Sequence, residues 1–356
     1  MRVLEPTPLT VPLSWIYGVG SDLYHGAYDV GIRKPIDLGV PVLSVGNLVV
    51  GGTGKTPTVL ALAQTLVSHG LTPAILTRGY KGSRTGLLRD GRWESDEIAG
   101  RDAGDEALEL SRSLPGVTLG VGKHRADMGR NILDRQRVDV FLLDDGFQHR
   151  RLARQANVLL LDGEKPFGNK LLLPAGPLRE PPSAMRRATA ILLTGGDVPE
   201  STYHRLRAFQ GRIWATHLEL HHFETLSGDM RPAPEPQRQV MAVGGLARPS
   251  RFHEFCQKQG LNVIGLKRFP DHHPYTEADV RELESMAPGV LLLTTGKDAV
   301  RLAPFVTQPD NWCVAVVRMS IEGGWDAFIA HALPGILTQK KGAAEGPLLE
   351  RDASNV

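Results

Sequence analysis

Short, wholly apolar runs alternate with amphipathic stretches along most of the chain. Val40–Val45, Pro73–Thr77, Val117–Gly120, Val138–Leu143, Asn157–Leu161 and Ala190–Leu193 read as strands. Helical patterns lie between most of them, over Thr56–His69, Gly104–Leu114, Lys123–Gln136 and Pro182–Arg187. Strands that are apolar at every position, rather than at alternate ones, belong in a parallel sheet covered on both faces. The crossovers between them are expected to be right-handed. Near residue 211 the texture changes: Arg212–Leu220 reads as a strand and Met230–Gln237 as a polar, Pro-rich linker. A second α/β pattern follows, with strands Gln239–Val243, Asn262–Leu266, Val290–Thr294 and Cys313–Val317. Helices Ser250–Gln259, Glu277–Met286 and Gly324–His331 lie among them. Gln339–Val356, rich in Lys, Gly, Ala and Glu, reads as a disordered tail.

Residues 11–33 carry a different pattern. Leu13, Ile16, Tyr17, Leu23, Tyr24, Ala27 and Tyr28 fall within about 140° of one helical face, with Ser14, Asp22, His25 and Asp29 off it. Gly18, Gly20 and Gly26 weaken the helix. Two readings stand side by side: a helix packed on its own domain, and an aromatic-rich helix lying flat on a bilayer.

Length and charge narrow the class. A chain of 356 residues suits two domains. Its 41 Lys and Arg against 39 Asp and Glu leave a net charge of +2, which excludes a polybasic nucleic-acid-binding chain. Cys256 and Cys313 are too few for a disulfide framework or a Cys-rich zinc site, so a reducing compartment is expected. No segment reads as a membrane-spanning helix: the uncharged run Leu38–Gly54 is broken by glycines and Pro41. A signal-peptide pattern is also missing from the first residues.

The chemistry concentrates at strand ends. Gly46-Asn47-Leu48-Val49-Val50-Gly51-Gly52-Thr53-Gly54-Lys55-Thr56-Pro57 follows a strand and opens a helix, the setting of a phosphate-binding P-loop. Glycines let backbone N–H groups face phosphate oxygens, Lys55 pairs with the β- and γ-phosphates, and the Thr56 hydroxyl reaches Mg²⁺. Val49 occupies the position of the motif's first glycine. Val138–Leu143 ends in Asp144-Asp145, which delivers acids to the sheet edge where Mg²⁺ sits in such enzymes. Gly104-Asp105-Glu106 places acids at a helix start, where capping is the simplest role. Asp271-His272-His273 lacks the helical spacing of zinc ligands, and His221-His222 reads as surface. Thr294-Thr295-Gly296-Lys297-Asp298 matches a guanine-reading turn only loosely, which argues against a GTPase. The fold expected is a P-loop NTPase-like α/β/α sandwich with a mostly parallel sheet, plus a smaller α/β domain and an N-terminal amphipathic helix. The boundaries expected are 1–34 for that helix, 35–210 for the P-loop core, 211–238 for a linker, 239–338 for the second domain and 339–356 for the tail.

With these pieces placed, the chain resembles the tetraacyldisaccharide 4′-kinase family. The resemblance runs from about residue 12 to about residue 333 and rests on separated motifs in order. They are Pro12-Leu13-Ser14-Trp15-Ile16-Tyr17-Gly18, Val45-Gly46-Asn47 with Gly51–Pro57, Thr77-Arg78-Gly79-Tyr80, and Gly104-Asp105-Glu106. Asp144-Asp145-Gly146-Phe147-Gln148-His149, Pro174–Glu180 and Phe269-Pro270-Asp271-His272-His273 complete the set. The resemblance implies transfer of the ATP γ-phosphoryl group to the 4′-hydroxyl of an acylated glucosamine disaccharide 1-phosphate, giving lipid IVA. It implies two α/β/α domains joined by a short β linker, and an N-terminal helix at the cytoplasmic face of the inner membrane. Asp105, supported by His272, becomes the catalytic pair, assisted by Lys55; Val49–Thr56 hold the nucleotide. Thr56, Asp144, Asp145 and Glu180 become the Mg²⁺ set, and Asn47, Arg78, Tyr80, Arg125, Gln148 and His149 the substrate contacts. ATP and Mg²⁺ are the implied cofactors. The lipid and the membrane surface are the implied partners, with no nucleic acid and no obligate protein partner. The rivals are a P-loop ATPase switch without a small-molecule acceptor and a kinase for another sugar or a nucleoside.

Overall fold

Five strands of four residues or more are buried at every position: β1 (Val42–Asn47), β2 (Pro73–Thr77), β6 (Val140–Leu143), β7 (Ala156–Asp162) and β8 (Ala190–Thr194). They lie together because only a strand covered on both faces tolerates so unbroken an apolar run. In the computed structural model, which describes residues 6–195, 198–245, 256–257, 259–270, 273–286 and 289–338, they pair in parallel in the order β8-β7-β1-β6-β2. β5 (Leu119–Val121) extends this block in parallel, and the hairpin β3 (Gly86–Arg89) and β4 (Arg92–Trp93) caps it antiparallel. The sequence patterns did not pick out that hairpin, although its turn is the two-residue Asp90-Gly91, both at positive φ.

Helices α2 (Lys55–Ser68), α3 (Asp105–Ser113) and α4 (Arg125–Leu133) cover this part of the sheet, within a residue or a few of expectation. Pro182–Arg187 is a 3₁₀ turn rather than an α-helix, and α5 (Glu200–Arg205) precedes β9. The largest apolar cluster includes Val59, Leu62 and Leu66 of α2, packed with Leu43, Val45 and Leu160 of the sheet.

The expected linker is the seam of the molecule. β9 (Arg212–Glu224) pairs in parallel with β8 on one side and antiparallel with β14 (Trp312–Ile321) on the other. The short β10 (Met230–Arg231) folds back on β9. Through β14 the sheet continues in parallel into β13 (Leu291–Thr295), β11 (Gln239–Gly244) and β12 (Asn262–Arg268). One sheet of mixed but mostly parallel strands therefore crosses both halves. Helices α6 (Glu277–Met286) and α7 (Gly296–Leu302) belong to the second half. α8 (Trp325–Ala332) departs from the expected boundaries: its Phe328 and Ile329 join Trp214, Leu62 and Leu66 in the core of the P-loop half. The expected helix Ser250–Gln259 lies almost wholly outside the described residues, as does the expected tail.

The N-terminal stripe forms α1 (Thr10–Asp29), and the helix packs by its polar side. Thr10, Ser14, Gly18 and His25 are buried, whereas Trp15, Ile16 and Leu23 are 74%, 70% and 71% exposed. Polar contacts dock it. Ser14 Oγ donates to the Leu172 carbonyl at 2.9 Å and accepts from the Ala175 N–H at 3.0 Å. Tyr17 Oη donates to the Arg179 carbonyl at 2.9 Å, and Arg150 reaches the His25 carbonyl and the Asp29 carboxylate.

Candidate active site

The loop after β1 turns at Gly51 and Gly54, both at positive φ, before Lys55 opens α2. A side chain at either position would strain the backbone, and one at Gly54 would also meet Met319 Cε at 2.7 Å. Asn47 Nδ2 donates to Thr53 Oγ1 at 2.8 Å and holds the loop from below. The preceding segment is strapped to the strand-like stretch 177–179: Val50 N–H donates to the Pro177 carbonyl at 2.8 Å and Arg179 N–H to the Leu48 carbonyl at 2.7 Å. Val49 is thereby bridged to Leu178, and its side chain is buried in an apolar cluster. That is why a valine stands where the motif has glycine: at this point the chain is paired and need not curl. Of the expected nucleotide residues, Val50 to Thr56 line the cleft and Val49 does not.

Two adjacent carboxylates at the end of β6 differ in state. Asp145, at φ 46°, is gripped by Arg179 Nη1 at 2.9 and 2.8 Å and faces Lys55 Nζ at 3.7 Å. These cations hold it below the usual carboxylate range despite burial. Asp144 is buried and accepts from Thr77 Oγ1 at 2.9 Å, and its Oδ1 has no hydrogen-bond partner. Burial, then the charges of Glu106 and Asp145, push it up to about 6. A buried carboxylate oxygen without a partner is satisfied by a proton, a water or a bound ion.

The rest of the cleft assembles around this edge. Arg78, Tyr80, Arg125, Gln148 and His149 all line it. Gln148 Nε2 donates to the Asn47 carbonyl at 2.9 Å. Burial, with the cations of Arg125 and Arg154, pushes His149 down to about 3, so it is a neutral imidazole, and its Nε2 has no hydrogen-bond partner. Asp105 and Glu106 enter on the first turn of α3. Gly104 makes that entry: at φ 91° it passes so close to the Tyr80 carbonyl that a Cβ would lie 2.4 Å from it.

Besides Val49, two more expected residues stand outside the cleft. Glu180 is 1% exposed and does not line the cleft: Arg187 Nη2 grips both its oxygens at 2.8 and 2.6 Å, and His25 Nε2 lies at 3.2 Å. Asn47, fully buried, supports the loop and does not reach the cleft. His272 lies outside the described residues; its neighbour His273 pairs with Asp279 at 3.2 Å.

Sequence reading did not assign Arg179, although it stands in the quoted Pro174–Glu180 motif, and it missed the opposite wall. Lys297 and Arg301 line the cleft from α7, with Arg301 Nε 3.6 Å from Asp105 Oδ2. Thr294–Asp298, taken for a loose turn motif, is the end of β13 and the start of α7. The open cleft has a volume of about 3010 Å³, several times the roughly 300–1,000 Å³ of a single-ligand pocket. It has room for two substrates.

Residues 7–334 match the family model of LpxK, tetraacyldisaccharide-1-P 4′-kinase. The chain belongs to the tetraacyldisaccharide 4′-kinase family. A tetraacyldisaccharide 4′-kinase of Anaeromyxobacter sp. (strain Fw109-5) is 37% identical over 352 residues, covering 95% of this chain and 92% of the relative. One from Anaeromyxobacter dehalogenans (strain 2CP-C) is 42% identical over 311 residues, covering 83% and 81%. The fold matches a crystal structure of "apo" form LpxK from Aquifex aeolicus in complex with ATP, with a TM-score of 0.72 and 30% identity over 92% of this chain and 98% of that one. As a family member the protein is an ATP-dependent kinase, a phosphotransferase.

Proposed function

We propose that this cleft carries out the family's reaction with Asp105 as the base. The reaction moves the γ-phosphoryl group of ATP to the 4′-hydroxyl of tetraacyldisaccharide 1-phosphate and forms lipid IVA. The observation that carries the residue assignment is the position of Asp105, which faces the same cleft as the Lys55 loop from a separate element. A sugar hydroxyl is a poor nucleophile and must lose its proton as the new P–O bond forms. Asp105 takes that proton, and His272 supports it from the second half. Lys55 and the N–H groups of the glycine loop meet the charge on the phosphates. Arg78 and Arg125 supply positive charge for the anionic lipid head.

Among the described residues, no group of three or more His, Cys, Asp or Glu side chains is arranged to hold a metal. Mg²⁺ needs no such cage, since one or two carboxylates and the substrate phosphates suffice. The orphaned Asp144 Oδ1 fits that role, with Thr56 beside the phosphates; Asp145 is already occupied by Arg179 and Lys55. Bound there, Mg²⁺ would neutralise developing phosphate charge.

Among the described residues, no helix is long and apolar enough to cross a membrane. The outward apolar face of α1 supports its lying on the bilayer, which brings the enzyme to an acylated substrate. Tyr17 of α1 lines the cleft beside Gln148 and Arg179, so the helix that would lie on the bilayer also borders the site. Two unpaired cysteines and the use of ATP favour the cytoplasmic leaflet of the inner membrane.

The test is transfer of radiolabelled γ-phosphate to a tetraacyldisaccharide acceptor. Asp105→Asn is expected to bind ATP normally and lose about 10²-fold or more in kcat. Wild-type turnover would remove Asp105 from the mechanism, and ATP consumption unaffected by acceptor would favour an ATPase switch.

A further inference from the structure

Arg301 stands on α7 where the second half faces α3, and its own half holds its guanidinium from three sides. Nη2 donates to Asp298 Oδ1 at 2.7 Å, and Nη1 donates to the His273 carbonyl at 3.1 Å. The guanidinium carbon lies 5.7 Å from the centre of the Tyr275 ring. Asp298 is fully buried and is itself fixed, accepting from Tyr275 Oη at 3.2 Å and from the Gly245 N–H at 3.1 Å. On the remaining edge the Nε–H donates to the Lys297 carbonyl at 3.4 Å, and the same nitrogen makes an ion pair with Asp105 Oδ2 at 3.6 Å, a contact of charge rather than a hydrogen bond.

Neutralising Asp298 alone would require nothing beyond the contacts inside the second half. The guanidinium nevertheless reaches across to a carboxylate on α3, with its side chain only 13% exposed. A planar fork fixed at three points transmits the position of its own half to whatever its last edge touches. One such point is the carbonyl of His273, the residue after His272.

We propose that Arg301 is a positioning residue for the phosphoryl transfer: held by Asp298 and the His273 carbonyl in its own half, it fixes the place and orientation of the Asp105 carboxylate on α3. This rests on the reading of Asp105 as the base. Misplacing a reacting group by about 1 Å can cost about 10²-fold in rate, so loss of the tie acts on kcat rather than on ATP affinity.

Removing Arg301 alone would strand the buried Asp298 charge and endanger the fold. The informative variant is therefore the pair Asp298→Asn/Arg301→Met, with Arg301→Lys as the conservative partner, each in the full chain. The pair is expected to melt near the wild-type temperature and to keep KM for ATP within about 2-fold. Its kcat is expected to fall about 10- to 100-fold, with Arg301→Lys recovering part of that loss. Adding the pair to Asp105→Asn should lower kcat no further, because both act through one carboxylate. A wild-type kcat in the folded pair, or losses that multiply with that of Asp105→Asn, overturns the proposal while leaving the base intact. A wild-type kcat in Asp105→Asn alone overturns the base assignment, and the proposal with it.

Discussion

Asp144 and Asp145 are neighbours of one chemical type, and their surroundings drive them apart: burial raises the first, while Lys55 and Arg179 hold the second down. Glu109, on the same helix as Asp105, obeys the same rule at the junction of the halves. Burial first and the Glu106 charge second push it up to about 7, against the opposing pull of Lys297. An acid whose folded value is raised favours the folded state at low pH, and that advantage is lost as pH climbs from its ordinary 4.5 through 7. Glu109→Gln, neutral at every pH, is therefore expected to leave stability unchanged near pH 4. Near pH 8 it is expected to add about 2 kcal/mol, the full shift being discounted for partial exposure. Urea unfolding at the two pH values checks this, and an equal gain at both would show that the effect is not one of charge. The two aspartates were legible in the sequence as a pair of strand-end acids. Their opposite states were not, because burial and the charge of Glu106 act on the first and Lys55 and Arg179 on the second, and only folding brings these together.

At the scale of elements, α1 inverts the usual arrangement of a surface helix. Its buried side is Thr10, Ser14, Gly18 and His25, and its apolar stripe faces outward. The stripe was visible at helical spacing, but no periodicity tells which way a helix is turned. What turns it is a set of polar partners distant in sequence: the Leu172 carbonyl, the Ala175 N–H and the Glu180 carboxylate. Ile16→Ser/Leu23→Ser is accordingly expected to leave the melting temperature within about 1–2 °C, as surface changes do. Each apolar side chain buried in lipid contributes about 1.5–3 kcal/mol, so vesicle affinity is expected to drop at least about 10-fold. Flotation with phosphatidylethanolamine–phosphatidylglycerol vesicles measures it, and undiminished flotation would dismiss the anchoring role. Point changes suit this test better than deleting residues 1–33, since α1 also covers Glu180 and touches the Arg179 carbonyl.

Across the whole molecule, the two α/β patterns are joined through β9 and β14 into one sheet, and the chain returns after β14 to complete the first core. Phe328 is fully buried against Trp214, with ring centres 5.6 Å apart at 81°. Phe328→Ala is expected to cost about 3–5 kcal/mol, with the loss felt by α2 although residue 328 lies far along the chain from it. Hydrogen exchange would show faster exchange over Lys55–Ser68, whereas a loss of protection confined to β11–β13 would contradict this packing. A fold that closes on itself in this way also sets the two walls of the cleft, with α3 on one side and α7 on the other.

The sequence by itself determined what depends on neighbours along the chain: most strands and most helices, the glycine loop ending in Lys55, the acids at the end of β6, and Asp105 at the start of α3. Those features are local, because period, turn chemistry and helix starts act over a few residues. Tertiary structure alone decided the outward turn of α1, the withdrawal of Glu180 under Arg187, the burial of Val49, the return of α8 to the first core and the meeting of Arg301 with Asp105. Each depends on which distant surfaces come into contact. A carboxylate's charge state and a helix's facing are set by those contacts, and sequence spacing carries no record of them.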